Sequence, residues 1–413
     1  MNLDAVRALV SPVGAEALTL ADEQEDPSSL AAAGALRARF PAELAAAALT
    51  QAELRRRART KFGPLARRML FTRGGLEQAT RPAVAAGHAA HLKAVGSRRV
   101  ADFGCGIGSD AMGFLAAGLE VVAIERDPVT AEIARHNLAL ISGSTASPSP
   151  PPGAFRVVVG DAEELAPAFL DESTAAFCDP ARRNVNRRLW RVEDFTPSWS
   201  FVLGLLNGAR PAGVKLGPAL PHALIPTGVH AEWVSHGGDT VEVALWAGTA
   251  DPDGTSAAVV LPGARVLVDP TAPPLEVVMP RRYLYEPDGA VIRAGAINQV
   301  GHRLQAGLLD GQIAYLTSDL LVSTPFARAF VVEEVLPYQE RTLRRWLTDH
   351  RVGSLEIKQR GIDGDPAALR KRLKPRGPAS ATFVISRTPH GAQVLVVRRV
   401  PAAALDDHTQ GHG

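Results

Sequence analysis

Asp102 closes an apolar run, and three glycines follow it at alternate positions: Gly104, Gly106 and Gly108. A carboxylate at a strand end, a glycine loop and a helix-like segment from Ser109 are the parts of a small-ligand site. Glycine takes positive φ and lets a ligand come close to the backbone, and nucleotide-type ligands bind at such strand ends. The spacing Gly-x-Gly-x-Gly differs from the Gly-x-Gly-x-x-Gly that seats a pyrophosphate on a helix N-terminus. Asp102 would repel a pyrophosphate and would suit a ligand carrying an ammonium group. Glu125 lies about 20 residues after the loop begins, where a βαβ nucleotide site places the acid that accepts from both ribose hydroxyls.

These residues need a strand–helix frame to hold them. Residues 99–103 read as a first strand, 109–117 as a helix capped by Gly118, and 119–124 as a second strand ending at Glu125. Asp127 is the N-cap and Pro128 the first residue of the next helix. A third strand at 155–159 leads to Gly160-Asp161-Ala162, and a fourth at 175–178 leads to Asp179-Pro180-Ala181-Arg182-Arg183. A fifth is expected at 213–217. Two more, 231–235 and 240–246, flank His236-Gly237-Gly238-Asp239, a hairpin signal. A plain dinucleotide domain would end in parallel strands, so this hairpin argues against a dehydrogenase. The fold class is α/β: a Rossmann-like core of seven strands with a terminal antiparallel hairpin.

The rest of the chain frames that core. Residues 1–95 are Ala-rich and read as helical, with a basic run at 55–61 that is either a solvated face or a phosphate-contacting patch. His88 and His91 have no partners at metal-ligand spacing and read as surface or packing residues; no metal is expected. Residues 142–153 read as a flexible Ser/Pro/Gly-rich insertion. Arg182, Arg183 and Arg187, near Trp190 and Phe195, suit either phosphate contact and base stacking or a solvated loop. After a linker at 250–256 the chain reads as α+β and becomes basic between Arg341 and Arg376, the electrostatic footprint of a nucleic-acid-binding module or else a solvated face. The net charge of +2 excludes a polycation, and two cysteines give no disulfide framework. With no apolar run of spanning length, the expectation is a soluble, cytoplasmic protein without a membrane partner.

Taken together, Asp102-Phe103-Gly104-Cys105-Gly106-Ile107-Gly108, Asp179-Pro180-Ala181-Arg182-Arg183, Tyr283-Leu284-Tyr285-Glu286-Pro287 and Val352-Gly353-Ser354-Leu355-Glu356-Ile357-Lys358 with Arg360-Gly361 resemble a known family. It is the bacterial class I S-adenosylmethionine (SAM) methyltransferases with a C-terminal THUMP-like domain. The resemblance implies a helical region (1–95), a SAM-binding core (96–250), a ferredoxin-like domain (260–332), a THUMP-like domain (333–402) and a disordered tail (403–413). It implies that Asp102, Gly104, Gly106, Gly108 and Glu125 hold SAM. Asp161 and the backbone of Ala162 would read its adenine, although Asp161 also suits a helix N-cap. Gln78 and Thr80 would flank the pocket. Asp179 and Pro180 stand where the methyl acceptor is received, followed by Ala181 and Arg182 where amino-methylating relatives carry Pro and an aromatic. Cys178 reads as a small buried strand residue rather than a nucleophile. Arg182, Arg183 and Arg187 would bind substrate. The implied activity is methylation of a base in structured RNA, tRNA foremost. The alternatives are a small-molecule or protein methyltransferase, or an RNA-binding protein with a silent core.

Overall fold

The computed structural model describes residues 1–142, 155–182, 192–252 and 254–401, and of Arg182 only the backbone. The insertion, the tail from 402, and the side chains of Arg182, Arg183, Arg187 and Trp190 lie outside the described residues. Two compact units emerge: residues 1–231 with 242–255, and residues 232–241 with 256 onward.

The first unit opens with helices whose starts are written in the sequence. In α1 (Leu3–Leu9), α2 (Pro12–Glu23) and α3 (Leu30–Arg37), the caps Asn2, Ser11 and Ser29 each accept from a backbone N–H three residues on. Helix α4 (Ala42–Phe62) runs for 21 residues and stops at Gly63, which has a φ of +57°. The short α5 (Arg73–Gln78) and then α6 (Pro82–Ala94) lead into the sheet. The basic run is largely structural. Arg55 is buried, donates to the carbonyl of Met69 and pairs with Asp22 at 3.0 Å. Lys61 donates to the carbonyls of Leu76, Glu77 and Ala79, satisfying the C-terminal end of α5.

The sheet follows as β1 (Arg99–Phe103), α7 (Ser109–Ala116), β2 (Glu120–Glu125), α8 (Pro128–Ser142), β3 (Phe155–Val159), α9 (Ala162–Phe169) and β4 (Thr174–Cys178). A two-residue ribbon, β5 (Ala181–Arg182) with β6 (Phe195–Thr196), precedes α10 (Trp199–Leu206), β7 (Ala212–Leu216), β8 (His230–His236) and β9 (Asp239–Ala247). The order is β3-β2-β1-β4-β7-β9, with β8 returning beside β9 through the expected hairpin. Pairs from β3 to β7 are parallel and β9 runs antiparallel to β7. Central parallel strands are covered on both faces and should be apolar throughout. All five residues of β4 and of β7 are buried, which makes Lys215 in β7 an exception to be explained. Asp102, next to last in β1, is the other.

In the second unit, β10 (Ser256–Leu261) pairs antiparallel with β11 (Ala264–Leu267). Next come β12 (Tyr283–Pro287), α11 (Gly289–Ala294), α12 (Ile297–Arg303), β13 (Gly307–Asp310), β14 (Ile313–Ser318), β15 (Ala327–Pro337), α13 (Glu340–Asp349), β16 (Val352–Gln359), α14 (Pro366–Leu373), β17 (Ala379–Thr388) and β18 (Gly391–Arg399). One sheet runs β13-β14-β12-β15-β18-β17-β16. The boundary expected at 332/333 falls inside β15. Tyr283 to Pro287, one of the marked motifs, form β12. Glu286 there pairs with Lys358 at 2.9 Å and Arg360 at 3.6 Å, so two of the marked motifs meet in one ion cluster. No helix among the described residues is long and apolar enough to cross a membrane.

Candidate active site

The parallel strands bring the marked acids to one edge of the first unit. Asp102 is paired in register with Ala123 of β2 and Phe177 of β4, so the ends of β1, β2 and β4 lie side by side. The chain then turns sharply, and the N–H groups of Gly104 and Cys105 both donate to the carbonyl of Ile124. Gly104, Gly106 and Gly108 have φ of +79°, +57° and +85°, which L side chains rarely adopt. A Cβ on Gly106 would meet nothing within 4 Å, so the middle of the loop borders open space. A Cβ on Gly104 would approach the carbonyl of Asp179 at 3.7 Å, placing this loop against the end of β4.

Glu125 is held by the loop it serves: Oε2 accepts from Gly106 N–H at 3.0 Å and Oε1 from Asp127 N–H at 2.9 Å. Asp161 caps α9, accepting from Glu163 N–H at 2.9 Å, and Ala162 begins that helix. The cap role is therefore real, and a carboxylate keeps lone pairs for a second partner. Asp102 differs from both. Its Oδ2 is buried and has no hydrogen-bond partner among the described residues. Burial, with Asp110 and Asp179 nearby, pushes its carboxyl well above the usual range. A buried acceptor left unpaired costs stability, so its place in a well-packed strand points to a missing donor. Both cysteines are buried, which pushes each thiol up and suits the small-apolar reading of Cys178.

Asp179 stands just past β4, with about a third of its side chain exposed (32%). Burial raises its carboxyl above the usual value, against the pull of Lys215, whose ammonium contacts Oδ2 directly. Lys215 also donates to Thr80 Oγ1 at 2.8 Å and lies 3.8 Å from Asp110 Oδ2. Thr80 donates in turn to Asp110 at 2.6 Å. His88 completes the chain of contacts, with Nδ1 2.8 Å from Asp110 Oδ1 and Nε2 2.6 Å from Glu242 Oε1. Burial alone would discharge this imidazole, but the Glu242 charge and the two hydrogen bonds outweigh it and push the pKa up to about 10. Asp110 is lowered because Lys215 and His88 together outweigh its burial.

His88, expected at the surface or in packing, is thus a buried cation between two acids, on the strength of Glu242, 154 residues away. His91 stacks on Trp246 at 4.3 Å, as a packing residue should. Thr80 is buried in this network. Sequence reasoning passed over Lys215, Asp110 and Glu242 entirely. The available signal was a lysine in the middle of an otherwise apolar strand. Among the described residues no group of side chains could hold a metal ion.

Comparison with known proteins bears on the family and the fold. Residues 327–399 match the family model described as THUMP domain-like, and residues 2–58 match a domain of unknown function (DUF8688). The fold is shared with a crystal structure described as a candidate methyltransferase from Porphyromonas gingivalis W83. That match has a TM-score of 0.74 and 22% identity, covering 94% of this chain and 99% of the other. An uncharacterized S-adenosylmethionine-dependent methyltransferase of Mycobacterium tuberculosis, found in strains CDC 1551 and H37Rv, is 34% identical over 348 residues, 82% of this chain and 92% of the relative. On that likeness, and with a methyltransferase fold beneath it, the chain belongs to the S-adenosylmethionine-dependent methyltransferases, enzymes whose cofactor is S-adenosylmethionine.

Proposed function

We propose that this enzyme methylates a base in structured RNA in the cytoplasm, with tRNA the first substrate to test. The observation that carries the RNA reading is the charge on one part of the second unit. Helices α13 and α14 and the segment after them expose Arg341, Arg344, Arg345, Arg370, Lys371, Arg372, Lys374 and Arg376. Three of these pair with acids, Arg344 and Arg372 with Glu340 and Arg345 with Asp349. For Arg341, Arg370, Lys371, Lys374 and Arg376 no ion pair is found among the described residues, so their charge is available to phosphates. The THUMP domain-like match covers this same region.

The residues of the first unit fit the cofactor. A buried carboxylate oxygen without a donor suits an ammonium group, the open loop at Gly106 admits a ligand against backbone, and Glu125 has lone pairs left for hydroxyls. In this reading Asp102, Gly104, Gly106 and Gly108 hold the amino-acid end. Glu125 takes the ribose, and Asp161 with the Ala162 N–H reads the adenine. Bound S-adenosylmethionine supplies an activated methyl group, so the protein's task is orientation and charge. Asp179 accepts a hydrogen bond from the N–H of the acceptor atom and turns its lone pair toward the methyl group. Pro180, buried beside it, fixes the backbone there.

Two experiments test this. Labelled methyl groups should enter tRNA from a strain lacking the gene and not tRNA from its parent, whose site is already filled. No incorporation into either, with cofactor binding established, would refute the tRNA reading. Asp179→Ala should abolish turnover while leaving cofactor affinity within a few-fold. Equal loss of both would move Asp179 into the cofactor site.

A further inference from the structure

A lysine almost never lies fully buried unless paired, because taking an ammonium out of water is costly. Lys215 sits in the middle of the sheet's apolar centre, with 10% of its side chain exposed. Folding tolerates it only because acids surround it. Its ammonium is in contact with Asp179 at the end of β4 and near Asp110 on α7, and it is hydrogen-bonded to Thr80. Glu242 on β9 adds to the negative field. Two other cations lie in the same field: Lys61 on α4, which feels the Lys215 charge, and His88 on α6, which shares Asp110 with it. Asp102 on β1 adds a further acid near Asp179.

The arrangement is asymmetric. Asp110 has three partners: His88, Thr80 and Lys215. Asp179 faces Asp110, Glu242 and Asp102, all acids, and its cationic neighbour is Lys215. His88 cannot substitute, because both of its ring nitrogens are engaged by Asp110 and Glu242.

We propose that Lys215 is a positioning residue for methyl transfer: its ammonium keeps Asp179 ionised and fixed at the end of β4, so that the carboxylate remains an acceptor for the substrate's N–H. This rests on the reading of Asp179 as the acceptor-orienting residue. A protonated Asp179 would present a donor where an acceptor is needed. Thr80, Asp110, His88 and Glu242 act at one remove. They hold the ammonium in place from behind, with Thr80 accepting from Lys215 and donating to Asp110. The network thus tunes a partly buried carboxylate from charges set behind it.

The test is a pH titration of the Asp179 carboxyl in the full-length protein by carbon-13 aspartate resonances, assigned by the signal that disappears in Asp179→Asn. In the wild type Asp179 should be ionised at pH 7; finding it protonated there overturns the proposal with no variant needed. In Lys215→Met the midpoint should rise by about 1–3 pH units, the effect of removing an adjacent opposite charge. Lys215→Arg should return it toward the wild-type value. Lys215→Gln, polar but uncharged, gives the same reading as methionine if that variant does not fold. An unmoved midpoint in the uncharged variants overturns the proposal. If the midpoint moves and Asp179→Asn still turns over fully, the coupling of Lys215 to Asp179 stands, but the catalytic reading of Asp179 falls and the positioning role of Lys215 is overturned with it.

Discussion

Replacing His88 and Glu242 together, by phenylalanine and glutamine, should remove a stability term with a definite pH window. The imidazole is buried between Asp110 and Glu242, and its pKa rises from 6.5 to about 10 in the folded protein. The folded state therefore binds a proton that the unfolded chain has lost throughout that interval. Linkage gives the sign: stability falls with pH wherever the folded state holds more protons. The contribution is whole below pH 6.5, declines by about 1.4 kcal/mol per unit above it, and is gone past pH 10. Over about 3.5 units that amounts to something on the order of 5 kcal/mol. The double variant is the informative one. His88→Phe alone would leave the Glu242 carboxylate buried without its partner, a separate cost that the second substitution removes. Lys61 works in the opposite sense: burial draws it down to about 8 from 10.5, so it adds stability as pH rises between those values. Subtracting the variant from the wild type cancels that term. Urea unfolding at a series of pH values, read by pulse labelling of amides in α6 and β9, isolates the transition of this unit. A difference that stays flat from pH 6.5 to 10 would refute a buried cationic His88.

Three further outcomes follow from the site. Asp102→Ala should weaken cofactor binding by about 10- to 100-fold, the worth of a hydrogen bond to a charged group, while raising the melting temperature by removing an unpartnered buried carboxyl; calorimetric titration and a thermal melt check both. Gly106→Ala forces an L side chain to a φ of +57° and should cost about 1–2 kcal/mol, although a Cβ there meets nothing, so a loss seen by denaturant titration is conformational and not steric. Reversing the charge of Arg370, Lys371 and Lys374 should flatten the dependence of log RNA affinity on log salt by about 0.7–0.9 for each phosphate no longer neutralised, and an unchanged slope would place the RNA elsewhere.

What the sequence discloses here follows the range over which each residue's job is set. The glycine loop, Glu125 and the cap at Asp161 are local: a turn needs positive φ at fixed offsets, and an acid one strand later needs a fixed count of residues. The glycines have the positive φ that turn requires, Asp161 caps α9, and Glu125 lies close enough to the loop to accept from Gly106 N–H. The hairpin at Gly237-Gly238 was legible for the same reason, and with it the antiparallel end of the sheet. The second unit was less so. Strands β13 and β14 were not anticipated, although Asp310-Gly311 between them is itself a hairpin signal. The charged network behind Asp179 was the least legible. His88, Lys215 and Glu242 come from a helix before the first strand, the fifth strand of the parallel set and the returning hairpin, and no spacing rule links them. Each is an anomaly in its own setting, a charge or an imidazole on a face that should be apolar. A single anomaly reads as packing. Only the sheet order, which brings β7 between β4 and β9, turns the three into one cluster. In a parallel sheet covered on both faces, a buried charge therefore carries information about another strand, and the strand order is what is needed to say which.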